Sequence, residues 1–302
     1  MRLATIDVGT NTTLLLVAET SGEGIHVLAE RAEITRLGRG IGADGGLGRS
    51  GIERTLAVLA EYAAIAAAHG AAIHAIGTEA LRRAPNAQDF LAPAARILGA
   101  AVEVIDGERE AALTFLAATR SFPHVATGTV VGIDIGGGST EIIVARAGCI
   151  DFRRSLPLGS VRLTERHIRS DPASPAEVAA VTDEIARQLD AVPFPAAPLT
   201  LIGTAGTVTS LAAMSLGLTS YDPQVVHGYH LMLAALDEQI ARLQTSTQPE
   251  REAMAGLDPK RADVILAGAH ILRHIATAAH ASEILVSDRG IRWGLLYEKA
   301  QS

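Results

Sequence analysis

Ile6-Asp7-Val8-Gly9-Thr10-Asn11-Thr12, near the start of the chain, reads as a strand that ends on an aspartate and breaks at a glycine turn. Ile133-Asp134-Ile135-Gly136-Gly137-Gly138-Ser139, near its middle, reads the same way. Each turn lies between two β-prone runs: Leu3 to Val8 and Thr13 to Ala18 in the first case, Thr129 to Ile135 and Glu141 to Arg146 in the second. A second pair of elements recurs in the same order. Ile73-His74-Ala75-Ile76 leads into Gly77-Thr78 and a helix through Ala80-Leu81-Arg82-Arg83, while Leu199-Thr200-Leu201-Ile202 leads into Gly203-Thr204-Ala205-Gly206-Thr207 and a helix from Val208. A strand over Val102 to Ile105 with a helix over Glu108 to Thr119 is matched by a strand over Glu283 to Val286 with a helix from Arg289. Elements that recur together and in order indicate one fold used twice. The expectation is an α/β chain of two duplicated domains with a cleft between them. The first covers residues 1–123 plus a C-terminal helix from about residue 289 to 302, and the second covers residues 124–288.

The rest of the chain narrows the classes. A length of 302 residues suits two domains. Cys149 is the one cysteine, so no internal disulfide framework exists and a reducing, cytoplasmic setting is expected. Asp7 falls too early for a secretory leader, and the apolar stretch from Ala57 to Ile76 is interrupted by Glu61, His69 and His74. That stretch reads as an amphipathic helix followed by a strand, with no membrane partner implied. A net charge of −7 argues against nucleic acid as a partner. Only Lys260 and Lys299 are lysines, and neither completes a P-loop. Gly40-Ile41-Gly42-Ala43-Asp44-Gly45 fits a dinucleotide fingerprint, but the next helix starts only near Ser50, where Ser50 and Glu53 suggest a capping box. Ser174-Pro175-Ala176-Glu177 suggests another, opening a helix to Leu189; further helices are expected over Leu231 to Leu243 and Pro259 to Ala279.

Glycine lets backbone approach phosphate closely, and successive amides form an anion-binding nest. Gly9, Thr10, Asn11 and Thr12 supply one such loop; Gly136, Gly137, Gly138, Ser139 and Thr140 supply the other. The helices that follow Thr78 and Gly206-Thr207 would aim positive N-termini at the same ligand. Asp7, Asp134 and Glu141 offer hard oxygen ligands suited to Mg²⁺. Taken singly, each turn reads equally as an ordinary hairpin; the matched pair favours phosphate chemistry.

Asp7 to Thr12 and Asp134 to Glu141 resemble the two phosphate loops of the Ppx/GppA family, whose duplicated, ribonuclease-H-like domains belong to the actin-like ATPase and sugar-kinase superfamily. Arg36-Leu37-Gly38, Ala80-Leu81-Arg82, Gly107-Glu108-Arg109-Glu110-Ala111, Gly203 to Thr207, Val226-His227-Gly228, Arg261 to Ile265 and Ser287-Asp288-Arg289-Gly290 match in order along essentially the whole chain. The resemblance implies exopolyphosphatase activity: hydrolysis of the terminal phosphoanhydride of inorganic polyphosphate, or alternatively of guanosine pentaphosphate. It implies Glu110 as catalytic base, Arg82 as a phosphate contact with Arg36 a weaker one, and Mg²⁺ as cofactor, with a monovalent cation such as K⁺ as an optional companion. A homodimer is carried as an expectation on the resemblance alone. A kinase on the same fold and a noncatalytic sensor of polyphosphate or alarmones are the rival readings. Three departures stand out: Thr10 and Thr12 replace the family's usual serines, Arg109 its first motif glutamate, and Trp293 a common glutamate.

Overall fold

The computed structural model describes residues 1–22, 24–41, 45–125, 127–196 and 199–301, so residues 42–44 of the glycine-rich run lie outside the described residues. In chain order the elements begin β1 (Arg2–Val8), β2 (Thr13–Ser21), β3 (Gly24–Glu33), α1 (Arg49–Ala68), β4 (Ala72–Gly77), α2 (Glu79–Arg83), α3 (Gln88–Leu98), β5 (Val102–Val104) and α4 (Gly107–Ser121). They continue with β6 (Thr129–Ile135), β7 (Thr140–Arg146), β8 (Cys149–Leu156), α5 (Ser160–His167), α6 (Pro175–Leu189), β9 (Thr200–Thr204), α7 (Ala205–Ser215) and α8 (Pro223–Val226). The chain ends with β10 (His230–Met232), α9 (Leu233–Thr245), α10 (Gln248–Glu252), α11 (Ile265–Ala278), β11 (Glu283–Val286) and α12 (Ile291–Lys299). Two compact units result: unit 1 is Met1–Ala117 with Ile291–Ser302, and unit 2 is Ala118–Gly290. Among the described residues no helix is long and apolar enough to cross a membrane.

Unit 1 has a five-stranded sheet in the order β3-β2-β1-β4-β5. β2 runs antiparallel to β1 and β3, while β1, β4 and β5 run parallel. β1 is central and buried from Leu3 to Val8, which is why its sequence lacks the alternation of a half-exposed strand. One core joins β1, β2 and β4 to α1 and α3. α1 contributes a stripe of Gly51, Thr55, Leu59, Tyr62 and Ala66, at the spacing that keeps one helix face inward. The buried Tyr62 hydroxyl donates to Thr13 O at 3.0 Å. A second cluster joins Leu3, Leu16 and Ala18 to Ala117, Trp293 and Leu296. There α12 approaches α4 so closely that a Cβ on Gly294 would lie 2.0 Å from Leu113 O.

Unit 2 repeats the plan. Its sheet runs β8-β7-β6-β9-β11, with β10 added at the edge beside β11. Again the second strand is antiparallel and β6, β9 and β11 are parallel. The order 3-2-1-4-5 therefore occurs in both units, as a duplicated fold predicts. α7 is buried continuously from Thr207 to Ala213 and α11 from Ile265 to Leu272, so both are interior helices.

The helix over Ala57 and the strand ending near Ile76 occur as α1 and β4, and the Ser174/Glu177 capping box forms. Other details differ from the sequence reading. The Ser50/Glu53 box does not form: Gly48 caps α1, and Glu53 instead accepts from Arg49 at 2.7 Å. Leu231 lies in β10, so the following helix starts at Leu233. The helix expected from Pro259 is a single tight turn over Pro259–Arg261, and α11 starts only at Ile265.

Candidate active site

In an α/β sheet, ligands bind beyond the carboxyl ends of the parallel strands. In unit 1 that edge gathers most of the expected groups. Asp7 stands one residue before the end of β1 and pairs in register with Ile76 of β4. Arg82 follows β4 on α2, and Glu110 follows β5 in the first turn of α4. Ile105 N–H donates to Gly77 O at 3.0 Å, extending the β4–β5 pairing toward α4. Glu110 is 5% exposed. Arg82 Nη1 donates to Glu110 Oε2 at 2.6 Å and to Ile105 O at 2.8 Å, and Nη2 donates to Glu79 Oε2 at 3.2 Å. The guanidinium is thus shared between two carboxylates. A buried carboxylate without such a partner is strongly disfavoured.

The unit 1 loop is closed by Gly9 N–H to Thr12 O at 3.0 Å. Its carbonyls are also engaged: Arg36 N–H donates to Asn11 O at 2.9 Å and Gly38 N–H to Thr10 O at 2.8 Å. Arg36 adopts a left-handed φ of 53° to make this turn. With carbonyls held on one side, the amides of Thr10 and Asn11 have no acceptor among the described residues. Thr10 and Asn11 are buried.

The unit 2 loop closes identically, with Gly136 N–H to Ser139 O at 3.0 Å. Here α5 does the holding. Ser160 N–H donates to Gly136 O, and Val161 and Arg162 N–H donate to Gly137 O, each at 3.0 Å; Arg162 Nε donates to Gly138 O at 2.7 Å. The amides of Gly137, Gly138 and Ser139 have no acceptor among the described residues. Asp134 and Glu141 face each other across β6 and β7, Glu141 faces Ser155 of β8, and Asp134 faces Thr204 of β9. Directly paired residues share a sheet face, so these four form a polar row. Ser155 Oγ donates to Glu141 Oε1 at 2.6 Å. Gly206 lies in the first turn of α7, where a Cβ would fall 2.1 Å from Arg261 Nη1. Thr207 is buried, and its side chain packs toward Gly268 of α11.

Sequence reasoning passed over Glu79, Ser155, Arg162 and the individual role of Thr204. Glu79 had one available signal, its i,i+3 spacing from Arg82 on a helix. The others depend on strand register.

Both sheet edges end in a glycine loop with donor amides beside a buried aspartate, the chemistry of a phosphate site. The sequence profile of the Ppx/GppA phosphatase family matches residues 16–302. The chain belongs to the Ppx/GppA phosphatase family. Exopolyphosphatase 2 of Mycobacterium tuberculosis is 36% identical over 313 residues, spanning 97% of this chain and 97% of that protein. Exopolyphosphatase 1 of Mycobacterium bovis is 30% identical, spanning 100% of this chain and 89% of that one. Among solved structures, the Aquifex aeolicus member of the Ppx/GppA family is 34% identical, covering 100% and 98% of the two chains at a TM-score of 0.84. An exopolyphosphatase from Cytophaga hutchinsonii is 28% identical, covering 100% and 98% at a TM-score of 0.91.

The departures from the Ppx/GppA pattern now have surroundings. Arg109 Nη2 donates to Glu298 Oε1 on α12 at 2.8 Å, with Glu103 3.5 Å from its Nε. Trp293 is buried, and Glu30 of β3 accepts from its Nε1 at 3.4 Å and from Arg292 Nη2 at 2.5 Å. The methyl of Thr10, absent from serine, fills the space in front of Gly38, where a Cβ would lie 2.4 Å from it.

Proposed function

We propose that this Ppx/GppA phosphatase hydrolyses the terminal phosphoanhydride of inorganic polyphosphate, with Glu110 as the base. The observation that carries the assignment of the base is the buried Glu110 carboxylate, held by Arg82 at the carboxyl edge of β1, β4 and β5. The names of the exopolyphosphatase relatives favour polyphosphate as the substrate. In this reading Glu110 orients a water for in-line attack on the terminal phosphorus and takes its proton. The bond from that phosphorus to the bridging oxygen breaks, and the electron pair stays on the shortened chain. Arg82, which donates to Glu110, is the cation that would turn a donor to a phosphate oxygen when substrate binds. Each unit has its own donors for non-bridging oxygens: the amides of Thr10 and Asn11 in unit 1, and those of Gly137, Gly138 and Ser139 in unit 2. The first turn of α7, at Gly206 and Thr207, adds a positive helix end.

Among the described residues no three Asp, Glu, His or Cys side chains converge as a ready cation cage. Mg²⁺ does not require one, because it is commonly bound by one or two carboxylates together with waters and substrate phosphates. Asp134 and Glu141 are the residues that would hold it in unit 2, and Asp7 is the corresponding carboxylate of unit 1. The surroundings of Asp134 fit: Thr204 Oγ1 is buried without a hydrogen-bond partner, and a Cβ on Gly290 would fill the space beside both side chains. When bound, Mg²⁺ draws charge from the phosphate oxygens.

A substrate panel tests the reading. Purified protein is given long-chain polyphosphate or guanosine pentaphosphate with Mg²⁺, and phosphate release is followed. Release from polyphosphate at the higher kcat/KM is expected. Guanosine pentaphosphate as the better substrate moves the assignment to that nucleotide, and tight binding of both without turnover replaces it with a sensor.

A further inference from the structure

We propose that the Thr204 hydroxyl is the unit 2 side chain that grips a phosphate group presented as its Mg²⁺ complex, with Asp134 beside it on the cation; this deepens the phosphatase reading and rests on it. Thr204 is 3% exposed, yet its Oγ1 has no hydrogen-bond partner among the described residues. It occupies the N-cap position of α7, where a threonine ordinarily accepts from a first-turn amide. No such bond is made. The cost of burying a hydroxyl is therefore left uncompensated, and the first-turn amides of α7 lack their usual cap.

The register of the sheet explains where the hydroxyl sits. Asp134 pairs with Thr204 itself, whereas Asp7 pairs with Ile76, two residues before Thr78. Unit 2 thus sets a threonine beside its aspartate and unit 1 does not. Gly290 borders both side chains: a Cβ built on it would lie 3.5 Å from Thr204 Oγ1 and 4.0 Å from Asp134 Oδ2. The other threonine of the turn is committed elsewhere. A Cβ on Gly268 would lie 2.6 Å from Thr207 Cγ2 and 2.9 Å from its Oγ1, so Thr207 serves the crossing of α7 and α11.

Opposite charges define the ligand. Helix amides favour an anion, whereas the Asp134 carboxylate repels a bare phosphate and favours a cation. A cation–phosphate complex suits both the helix end and the carboxylate, and gives the partnerless Thr204 hydroxyl a phosphate oxygen to donate to.

Methylenediphosphonate is the probe, because its P–C–P link resists hydrolysis and its binding is independent of the identity of the base. Its affinity is measured by titration calorimetry with and without Mg²⁺, alongside the melting temperature of ligand-free protein. Thr204→Val is expected to weaken the Mg²⁺-dependent affinity by about tenfold or more. It should leave the ligand-free melting temperature unchanged or higher, because it removes an unsatisfied buried hydroxyl. Thr204→Ser should stay within about threefold of wild type, well below the tenfold step that a lost charged hydrogen bond produces. Wild-type affinity in Thr204→Val, no Mg²⁺-dependent binding by the wild type, or a lowered ligand-free melting temperature in Thr204→Val would each overturn the proposal. Failure of the phosphatase reading is seen separately, in turnover on the substrate panel.

Discussion

The two units share a plan and differ in what they place on it. Along the row through the aspartate, unit 1 has Ala32, Leu14, Asp7 and Ile76, of which Asp7 alone is polar, before the row ends on Glu103 of the edge strand β5. The row in unit 2 reads Ser155, Glu141, Asp134 and Thr204. Unit 1 instead has its second buried carboxylate of this edge off the sheet, as Glu110 on α4, clamped by Arg82. Both copies keep an aspartate followed by a glycine loop; the function proposed above divides the rest, giving unit 1 the proton-transfer group and unit 2 a polar shelf of oxygen ligands.

The loops differ in how they are braced, and glycine substitutions probe that difference with the largest effects expected here. A Cβ on Gly159 would lie 2.2 Å from Gly137 O and 2.4 Å from Gly137 C, so the unit 2 loop backbone itself must move. Gly159→Ala is expected to cost about 2–3 kcal/mol by denaturant unfolding and to weaken phosphate binding. In unit 1 the obstacle to Gly38→Ala is mainly the methyl of Thr10, at 2.4 Å, with Ala80 Cβ at 3.2 Å. A cost of about 1–2 kcal/mol is expected, largely restored by adding Thr10→Ser. Equal costs in the two units, or no rescue by serine, would break the comparison.

A smaller effect belongs to unit 2. Burial within α11 lowers the His270 pKa from 6.5 to about 4, helped by His274 and Arg273. The folded state then holds His270 neutral while the unfolded chain takes up a proton. Its contribution to stability is complete above about pH 6.5 and is lost as pH falls toward 4, at up to about 1.4 kcal/mol per pH unit. His270→Leu should flatten this part of the stability profile, measured by thermal melts across that window. An unchanged profile would show that the histidine is not buried neutral.

The duplication was legible because it is written locally. An aspartate, a glycine turn and two flanking apolar runs occupy about a dozen consecutive residues, and their repetition is visible without any contact map. β3 and β8 were not delineated, because the strands Gly24–Glu33 and Cys149–Leu156 lie at sheet edges and carry mixed, exposed side chains that give a weak strand signal. In the sequence Arg82 and Glu110 read as two separate candidates. Their meeting depends on β4 and β5 lying side by side, which brings residues 28 apart into contact. Thr204 was hidden further, since only the register of β6 on β9 sets it beside Asp134. The Ser50/Glu53 motif reads as a cap in sequence and fails because the helix is capped at Gly48, two residues before Ser50, and Arg49 claims Glu53.

The division of labour between the units is tested most directly by Glu110→Gln, which keeps the shape of the side chain and removes its basicity. Single-turnover phosphate release from polyphosphate should fall by about 10²–10⁴-fold, while the Kd for Mg²⁺-methylenediphosphonate stays close to that of the wild type. Wild-type release by Glu110→Gln would contradict the account, because the proton would then be taken by a group outside the Arg82 clamp.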